Sequence, residues 1–242
     1  MAISRPTFEH SLQQLQDEVL VMGSMVDKAL HQAIDALKRR DHRLAKFVIE
    51  NDKEVNRQRF VIEEQALTLF ATQQPIVARD LRLLAAILNI ISELERMGDH
   101  AKGIARINEM MDDQPFIKPL IDLPRMAEKG SQMLNATLDA LVHLDAAAAY
   151  TIARQDDELD NLYDQIYREL LQIMLHDPQT VNQATYLLWA AHNLERFGDR
   201  ITNICERIIF VVTGQMTEIE GYNETKSYPD HIVPSARHEL EG

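Results

Sequence analysis

Two segments of the chain carry the same pair of carboxylates, with Glu95 and Asp99 in the first and Glu195 and Asp199 in the second. Each pair is separated by four residues. On a helix, side chains at this spacing project from one face, where two like charges repel each other unless a cation joins them. A divalent or trivalent metal ion is one such cation, so the repeated motif indicates a possible metal site.

A second group of polar residues precedes each motif in the same order. Asp52 in the first half of the chain corresponds to Asp156 in the second half, and Asn56 corresponds to Asp160. If the two segments lie on neighbouring helices, these side chains converge with the Glu-x-x-x-Asp motif. Oxygen ligands of this kind suit magnesium, calcium, manganese or iron better than zinc.

An ion-pair network is the alternative interpretation of the same carboxylates. Glu95 and Glu195 could pair with neighbouring arginines, and a solvated network of this kind contributes little to stability. The recurrence of the motif in register in both halves favours the metal site more than a single motif would. The arginines that could take part are Arg79, Arg82, Arg96 and Arg196.

A glycine lies inside each motif, at Gly98 and Gly198. Glycine inside a helix costs about 1 kcal/mol relative to alanine, so another interaction must compensate for it. Close approach of a neighbouring helix is the structural explanation, and room for a ligand is the functional one. We favour the close approach, although both explanations can hold together.

Six long helices are predicted to position these residues, because apolar residues recur at the 3,4 spacing of amphipathic helices and the chain has only eight glycines and eight prolines. The predicted helices cover approximately residues 7–38, 41–72, 76–111, 123–143, 145–176 and 179–212. The fold class is therefore all-α.

The chain is also internally duplicated. Leu30, Asp41 and Asp52 recur at one constant offset as Leu134, Asp145 and Asp156, and the Glu-Arg-x-Gly-Asp motif recurs at a slightly smaller offset. This predicts two pseudo-symmetric three-helix bundles, with the first repeat at residues 1–113 and the second at 114–220. Residues 221–242 lack periodicity and are predicted to form a flexible acidic tail.

Composition excludes several classes of protein. The net charge of −13 opposes nucleic-acid binding, which needs clustered lysines and arginines. No apolar run approaches the roughly 18 residues needed to span a membrane, so a soluble, cytoplasmic protein is expected. Cys205 is the only cysteine, and an internal disulfide or a cysteine-rich zinc site is therefore impossible.

The sequence contains no familiar catalytic motif, such as a Gly-rich phosphate loop or a His-Glu-x-x-His zinc motif. We therefore expect a protein that is not an enzyme. A histidine phosphotransfer bundle is the remaining alternative, since His100 is followed by Lys102 and a glycine. Lys102 lies off the helix face of His100, however, and the equivalent residue in the second half is Arg200.

These features together resemble the PhoU family, and the resemblance covers nearly the whole chain. The duplicated motif in two three-helix units is a specific indication of this family, whereas a single Glu-x-x-x-Asp would not indicate any family. The residues that carry the resemblance are the two Glu-Arg-x-Gly-Asp motifs, Asp52 to Asn56, Asp156 to Asp160, Asp80-Leu81-Arg82 and Met22-Gly23.

The resemblance implies two similar three-helix bundles and, in some members, multinuclear clusters of iron or other metals on the acidic motifs. Manganese and magnesium are further candidate ions here. Asn56 replaces the acidic residue found at Asp160, which implies weaker metal binding in the first repeat. The implied metal ligands are Glu95, Asp99, Glu195 and Asp199, with Asp52, Asp156 and Asp160 as weaker supporting ligands.

The resemblance also implies a role in phosphate homeostasis. Members of the family act as negative regulators of the phosphate regulon and contact both the ATPase subunit of the phosphate transporter and the phosphate-sensing histidine kinase. Membrane association would then be indirect, through these partners. Wide apolar helix faces further suggest a homodimer.

Overall fold

The computed structural model describes residues 5–72, 76–111 and 115–219. Within these ranges all regular elements are helical, which confirms the all-α prediction. The predicted repeat boundary near residue 113 and the predicted tail at 221–242 lie outside the described residues. The elements are α1 (Arg5–Arg39), α2 (His42–Thr72), α3 (Ala78–Met110), α4 (Asp122–His143), α5 (Ala146–Ala153), α6 (Asp156–His176), a 3₁₀ turn (Pro178–Thr180) and α7 (Val181–Thr213).

The predicted fifth helix is divided into α5 and α6 by a turn at Arg154 and Gln155. The Gln155 N–H donates to the Ile152 carbonyl at 2.9 Å, a tighter connection than the α-helical bond. Three acidic residues then occupy the first turn of α6, where negative charge is stabilised by the helix dipole. Asp156 consequently begins a helix, whereas its counterpart Asp52 lies inside the continuous helix α2.

The connection from the first to the second helix has the same local structure in both repeats. Arg40 and Leu144 adopt left-handed conformations with φ of 56° and 50°. The residues that follow, Asp41 and Asp145, each accept hydrogen bonds from the backbone N–H groups two and three residues later, at 2.9 to 3.0 Å. Such a cap stabilises a helix by about 1 kcal/mol. The internal duplication is therefore visible at the level of single hydrogen bonds.

Helices α1, α2 and α3 pack on one another, and α4 to α7 form the corresponding group. The two groups meet where α3 packs on α7 and α1 packs on α4. The second contact is close, because a Cβ atom placed on Gly23 would lie 2.5 Å from Leu138 Cδ1. Leu30, Ile87 and Leu94 are among the fully buried side chains of one continuous core. None of the described helices has the length and apolarity needed to cross a membrane.

Helices α3 and α7 run antiparallel, and polar contacts join their midpoints. His100 Nδ1 lies 3.2 Å from Asn193 Oδ1. Arg200 Nη1 lies 3.3 Å from Glu93 Oε2, and Asn203 Nδ2 donates to the same oxygen at 3.1 Å. The His100 and Arg200 contacts are equivalent under exchange of the two repeats, so the helices are related by a local pseudo-twofold axis.

Candidate metal sites

The second repeat brings four carboxylates together between α6 and α7. Asp156 and Asp160 lie one turn apart at the start of α6, and Glu195 and Asp199 lie one turn apart in the middle of α7. The charges of the other three carboxylates all raise the pKa of Asp156, so the four groups share one electrostatic environment. We refer to these four residues as the second carboxylate cluster.

Burial and mutual repulsion raise the pKa values of two of these carboxyl groups. Burial raises the pKa of Asp156 to about 8, and the charges of Asp160, Asp199 and Glu195 contribute in the same direction. Burial, with Asp199, raises the pKa of Glu195 to about 7 against the opposing charge of Arg196. In the absence of a cation these two carboxyl groups therefore keep their protons to higher pH than usual, and a bound cation would favour their ionised forms.

Two buried oxygen atoms of the second carboxylate cluster, Asp156 Oδ1 and Glu195 Oε2, accept no hydrogen bond. The other oxygen of Asp156 receives only a long contact, 3.4 Å from Thr202 Oγ1. Glu195 Oε2 lies 3.4 Å from both His192 Nδ1 and Arg196 Nε, but neither nitrogen is aligned for a hydrogen bond. A buried carboxylate oxygen without a partner is unfavourable, and coordination to a metal ion would satisfy it.

The alternative ion-pair network is present in part. Arg196 Nη1 donates to Asp199 Oδ2 at 3.1 Å, so one side of the second cluster does contact a cation of the protein. The corresponding Arg96 pairs at 3.2 Å with Glu93 on the same helix. Ion pairing and metal binding are therefore compatible in the second repeat, because Arg196 leaves the orphaned oxygen of Asp156 unpaired.

The first repeat differs from the second, because a lysine lies between its carboxylates. Lys102 Nζ lies 2.6 Å from Asp52 Oδ2 and 3.3 Å from Asp99 Oδ1, and so connects α3 to α2. The hydrogen bond to Asp52 raises the pKa of Lys102. Two of the predicted ligands in this repeat are thus joined by a lysine, while Glu95 lies partly exposed one turn before Asp99.

Lys102 lies in this site, although the spacing of the acidic motif does not reveal it. It lies off the helix face of His100, but it follows Asp99 by three residues and shares the face of that carboxylate. The signal that could have revealed it is the alignment of the repeats, which places Thr202 at the equivalent position. A charged residue in one copy of a motif and a neutral residue in the other indicates different charge balance in the two sites.

The donor chemistry of the second carboxylate cluster fits a hard cation such as manganese, iron or magnesium, because its donors are carboxylate oxygens. Among the described residues, however, no three His, Cys, Asp or Glu side chains surround a common point closely enough to form an assembled site. Binding would therefore require side-chain rotations. Glu158, on the same turn of α6 as Asp156, is exposed and pairs with Lys129 at 2.8 Å.

The two motif glycines have different surroundings. A Cβ atom on Gly198 would overlap Asp156 Oδ1 and would lie 2.6 Å from Leu159 Cδ1. On Gly98 it would lie 3.4 Å from Val55 Cγ1 and 3.5 Å from Asp52 Oδ1, which are ordinary contacts. Gly198 therefore allows the close approach of α6 and its carboxylate to α7, whereas Gly98 has room for a methyl group.

We predict that Gly198→Ala lowers the free energy of unfolding by about 1–3 kcal/mol, because the added methyl group displaces Asp156 or Leu159. The matched variant Gly98→Ala should be neutral or stabilising by up to about 1 kcal/mol, since alanine favours the helix and meets no overlap. Urea unfolding of both variants measures this difference. Equal losses in the two variants would contradict the contrast between the repeats.

We also predict that the protein in a metal chelator becomes less stable as the pH rises from about 4 to about 8. The pKa of Asp156 is raised on folding from 3.8 to about 8, so the folded state holds this proton more tightly than the unfolded state does. The protonated group carries no penalty at low pH, and ionisation in the folded state costs on the order of a few kcal/mol at high pH.

Asp156→Asn serves as the control for this pH dependence. The amide cannot ionise, so the difference in unfolding free energy between the variant and the native chain should grow between pH 5.5 and 8.5. Urea unfolding at several pH values in EDTA measures that difference. A constant difference over this range would show that Asp156 ionises normally in the folded protein.

Comparisons with known proteins identify the family of this chain. The family model described as the PhoU domain matches residues 19–107 and 123–208. A PhoU homolog named as a phosphate-specific transport system accessory protein in Clostridium acetobutylicum is 37% identical over 217 residues, which cover 90% of this chain and 99% of that protein. The Escherichia coli protein of the same name, PhoU, is 38% identical over 208 residues, covering 86% of each chain.

Solved structures agree with the sequence matches. The crystal structure of the phosphate transport system regulatory protein PhoU from Streptococcus pneumoniae matches with a TM-score of 0.82 and 31% identity, covering 88% of this chain and all of that one. PhoU from Pseudomonas aeruginosa matches with a TM-score of 0.81 and 32% identity over 86% of this chain. The chain, with its two motif helices packed antiparallel at the centre, therefore belongs to the PhoU family.

Proposed function

We propose that the chain is an accessory protein of phosphate uptake that acts as a negative regulator of the phosphate regulon. In this proposal it works as an adaptor that contacts the ATPase subunit of the phosphate transporter and the phosphate-sensing histidine kinase. The observation that carries the proposal is the match to PhoU proteins along most of the chain. The matched relatives are named accessory proteins of phosphate-specific transport, which favours regulation of a transporter over catalysis.

The reactive side chains of the fold also favour binding over covalent chemistry. Cys205 is buried beside Thr137, at 3.4 Å between sulfur and hydroxyl, and burial raises its pKa to about 12. A thiol in this state is a poor nucleophile, because thiolate is the reactive form. The described structure therefore offers no support for a cysteine-based activity.

His100 is a poor candidate for phosphotransfer. Its ring is partly buried at the contact between α3 and α7, where Nδ1 faces Asn193 Oδ1. Burial lowers its pKa. The nearby Lys102 is engaged by Asp52 and Asp99 and cannot also assist a phosphorylated imidazole without breaking those contacts.

Exposed apolar side chains on the outer helices provide material for protein contacts. On α2, Phe60 and Leu67 are 58% and 54% exposed, and on α6 Leu175 is 77% exposed. Large apolar side chains at this level of exposure are common in protein interfaces. They are compatible with the proposed partners and with the homodimer expected from the sequence. Sedimentation velocity would test the homodimer, which we expect to have twice the mass of one chain.

We further propose that a manganese, iron or magnesium ion binds the second carboxylate cluster and braces α6 against α7. Asp156 and Asp160 would hold the ion from α6, and Glu195 and Asp199 would hold it from α7. The ion would offset the burial and the repulsion that raise the pKa of Asp156, and it would coordinate the Asp156 oxygen that accepts no hydrogen bond. Its role in the adaptor would be to fix the surface formed by these two helices.

The adaptor proposal is tested by co-purification with the transporter ATPase subunit and the histidine kinase at high and at low phosphate. We expect both partners to be retained with the chain at high phosphate, because the proposed regulator reports phosphate sufficiency. A matched sample with an unrelated acidic helical protein controls for charge-driven binding at the net charge of −13. Retention of neither partner at high phosphate would contradict the proposal.

The metal proposal is tested by elemental analysis of the untagged native chain and of a Glu195→Ala, Asp199→Ala double variant prepared in the same way. We expect about one equivalent of manganese or iron per chain in the native protein and loss of that metal in the variant. An Asp35→Ala, Glu50→Ala variant removes the same charge from exposed positions on α1 and α2 and should retain the metal. Absence of metal from the native protein loaded with manganese would contradict the proposal.

A further inference from the structure

The two copies of the motif differ at one position that lies next to the carboxylates. Lys102 follows Asp99 by three residues in the first repeat, and Thr202 follows Asp199 by three residues in the second. Both side chains reach towards the helix packed alongside, because each contacts the acidic residue of that helix, Asp52 or Asp156. The exchange of lysine for threonine therefore changes the charge of the site itself rather than that of a distant surface.

In the first repeat the lysine occupies the position between carboxylates that a bridging cation would take. Its ammonium group is 2.6 Å from Asp52 Oδ2 and 3.3 Å from Asp99 Oδ1, so it contacts one carboxylate on each of the two helices. The side chain of Asp52 is only 5% exposed and that of Lys102 is 20% exposed. This is a largely buried ion pair, in which each partner compensates for the desolvation of the other.

In the second repeat the same position offers no charge. Thr202 Oγ1 contacts Asp156 Oδ2 at 3.4 Å, which is a weak interaction without charge. Oδ1 of Asp156, like Oδ1 of Asp52 in the first repeat, is buried without a hydrogen bond, so the two sites differ in the partner of the other oxygen. Arg196 neutralises Asp199 from the side but does not form a hydrogen bond with Asp156. Asp156 therefore lacks the ammonium partner that its counterpart Asp52 has between the helices.

We propose that Lys102 is a built-in counterion that takes the place of a metal ion in the first repeat, so that metal binding is confined to the second repeat. A metal ion in the first repeat would have to displace the ammonium group from Asp52 and would then lie close to it as a like charge. The part of this inference that concerns the second repeat rests on the proposed metal site there. The part that concerns Lys102 does not.

The asymmetry has a consequence for the two bundles. The contact of α2 with α3 is stabilised by the ammonium group of Lys102, which is part of the chain, so this contact does not depend on the supply of metal. The contact of α6 with α7 holds Asp156 without a lysine or arginine at its oxygens, and a bound cation would stabilise that contact further. A change in metal supply would therefore alter the second bundle and leave the first one unchanged.

The test of Lys102 is made in the Glu195→Ala, Asp199→Ala background, in which the second cluster is disabled. Isothermal titration with MnCl2 and elemental analysis then report on the first repeat alone. We expect this parent to bind no manganese, and the same protein with Lys102→Thr to bind about one equivalent per chain through Asp52, Asp99 and Glu95. Lys102→Arg retains the charge and should behave like the parent.

Lys38→Thr in the same background is the matched control, because it removes an exposed lysine of α1 and changes the net charge equally. It should bind no manganese. Circular dichroism verifies that each variant is folded, and Lys102→Gln replaces Lys102→Thr if the threonine variant is not. Manganese bound by the parent, or a folded Lys102→Thr or Lys102→Gln variant that binds none, would overturn the inference.

The reciprocal variant, Thr202→Lys in the otherwise native chain, places an ammonium group beside Asp156. We expect it to weaken manganese binding by about 10-fold or more, the size of effect typical of changes next to metal ligands. Unchanged binding would overturn the equivalence of the two positions. A native chain that binds no manganese would contradict only the proposed site of the second repeat, since the comparison at Lys102 does not depend on that site.

Discussion

The antiparallel packing of α3 against α7 is the constraint on which the other contacts depend. Each of these helices contacts its twin on one face and carries the acidic motif towards α2 or α6 on another. Polar pairs at the midpoint, such as Arg200 with Glu93, fix the register of the two helices. Because this contact is partly buried, a slip along the helices would leave charged groups unpaired, which is far more unfavourable than the loss of an exposed pair. The positions of both carboxylate clusters follow from this register.

The two repeats have the same backbone structure at their helix caps, but single residue differences change the charge of their carboxylate sites. The caps at Asp41 and Asp145 show how closely the backbones agree. The carboxylate sites differ, by contrast, at one position. Lys102 gives Asp52 an ammonium partner, whereas Thr202 gives Asp156 only a long contact with a hydroxyl group. The helix break before Asp156 adds to the difference, since it places this carboxylate at a helix start, beside a glycine that allows close approach.

Much of the fold was predictable from the sequence, because long amphipathic helices and an internal repeat are strong signals. Hydrophobic spacing located the helices, and the recurrence of Asp52 as Asp156 indicated which segments are equivalent. The break at Arg154 and Gln155 was missed, since neither a glycine nor a proline marks it in the sequence. The engagement of Lys102 was missed for a similar reason: a lysine on a helix surface is usually solvated, and only the packing of α2 on α3 places Asp52 within its reach.

The two sites are distinguished by the partners of their buried carboxylates, and not by the spacing of the motif. The Glu-x-x-x-Asp spacing is identical in the two repeats, yet Asp52 has an ammonium partner whereas Asp156 is held with its pKa raised to about 8. In the first repeat one lysine side chain contacts a carboxylate on each of the two helices. In the second repeat Arg196 contacts Asp199 and Glu195 but not Asp156, so the proposed ion would supply a positive charge where the chain supplies none. The first repeat serves as an internal comparison, since it has the same helices and the same motif with the positive charge already in place.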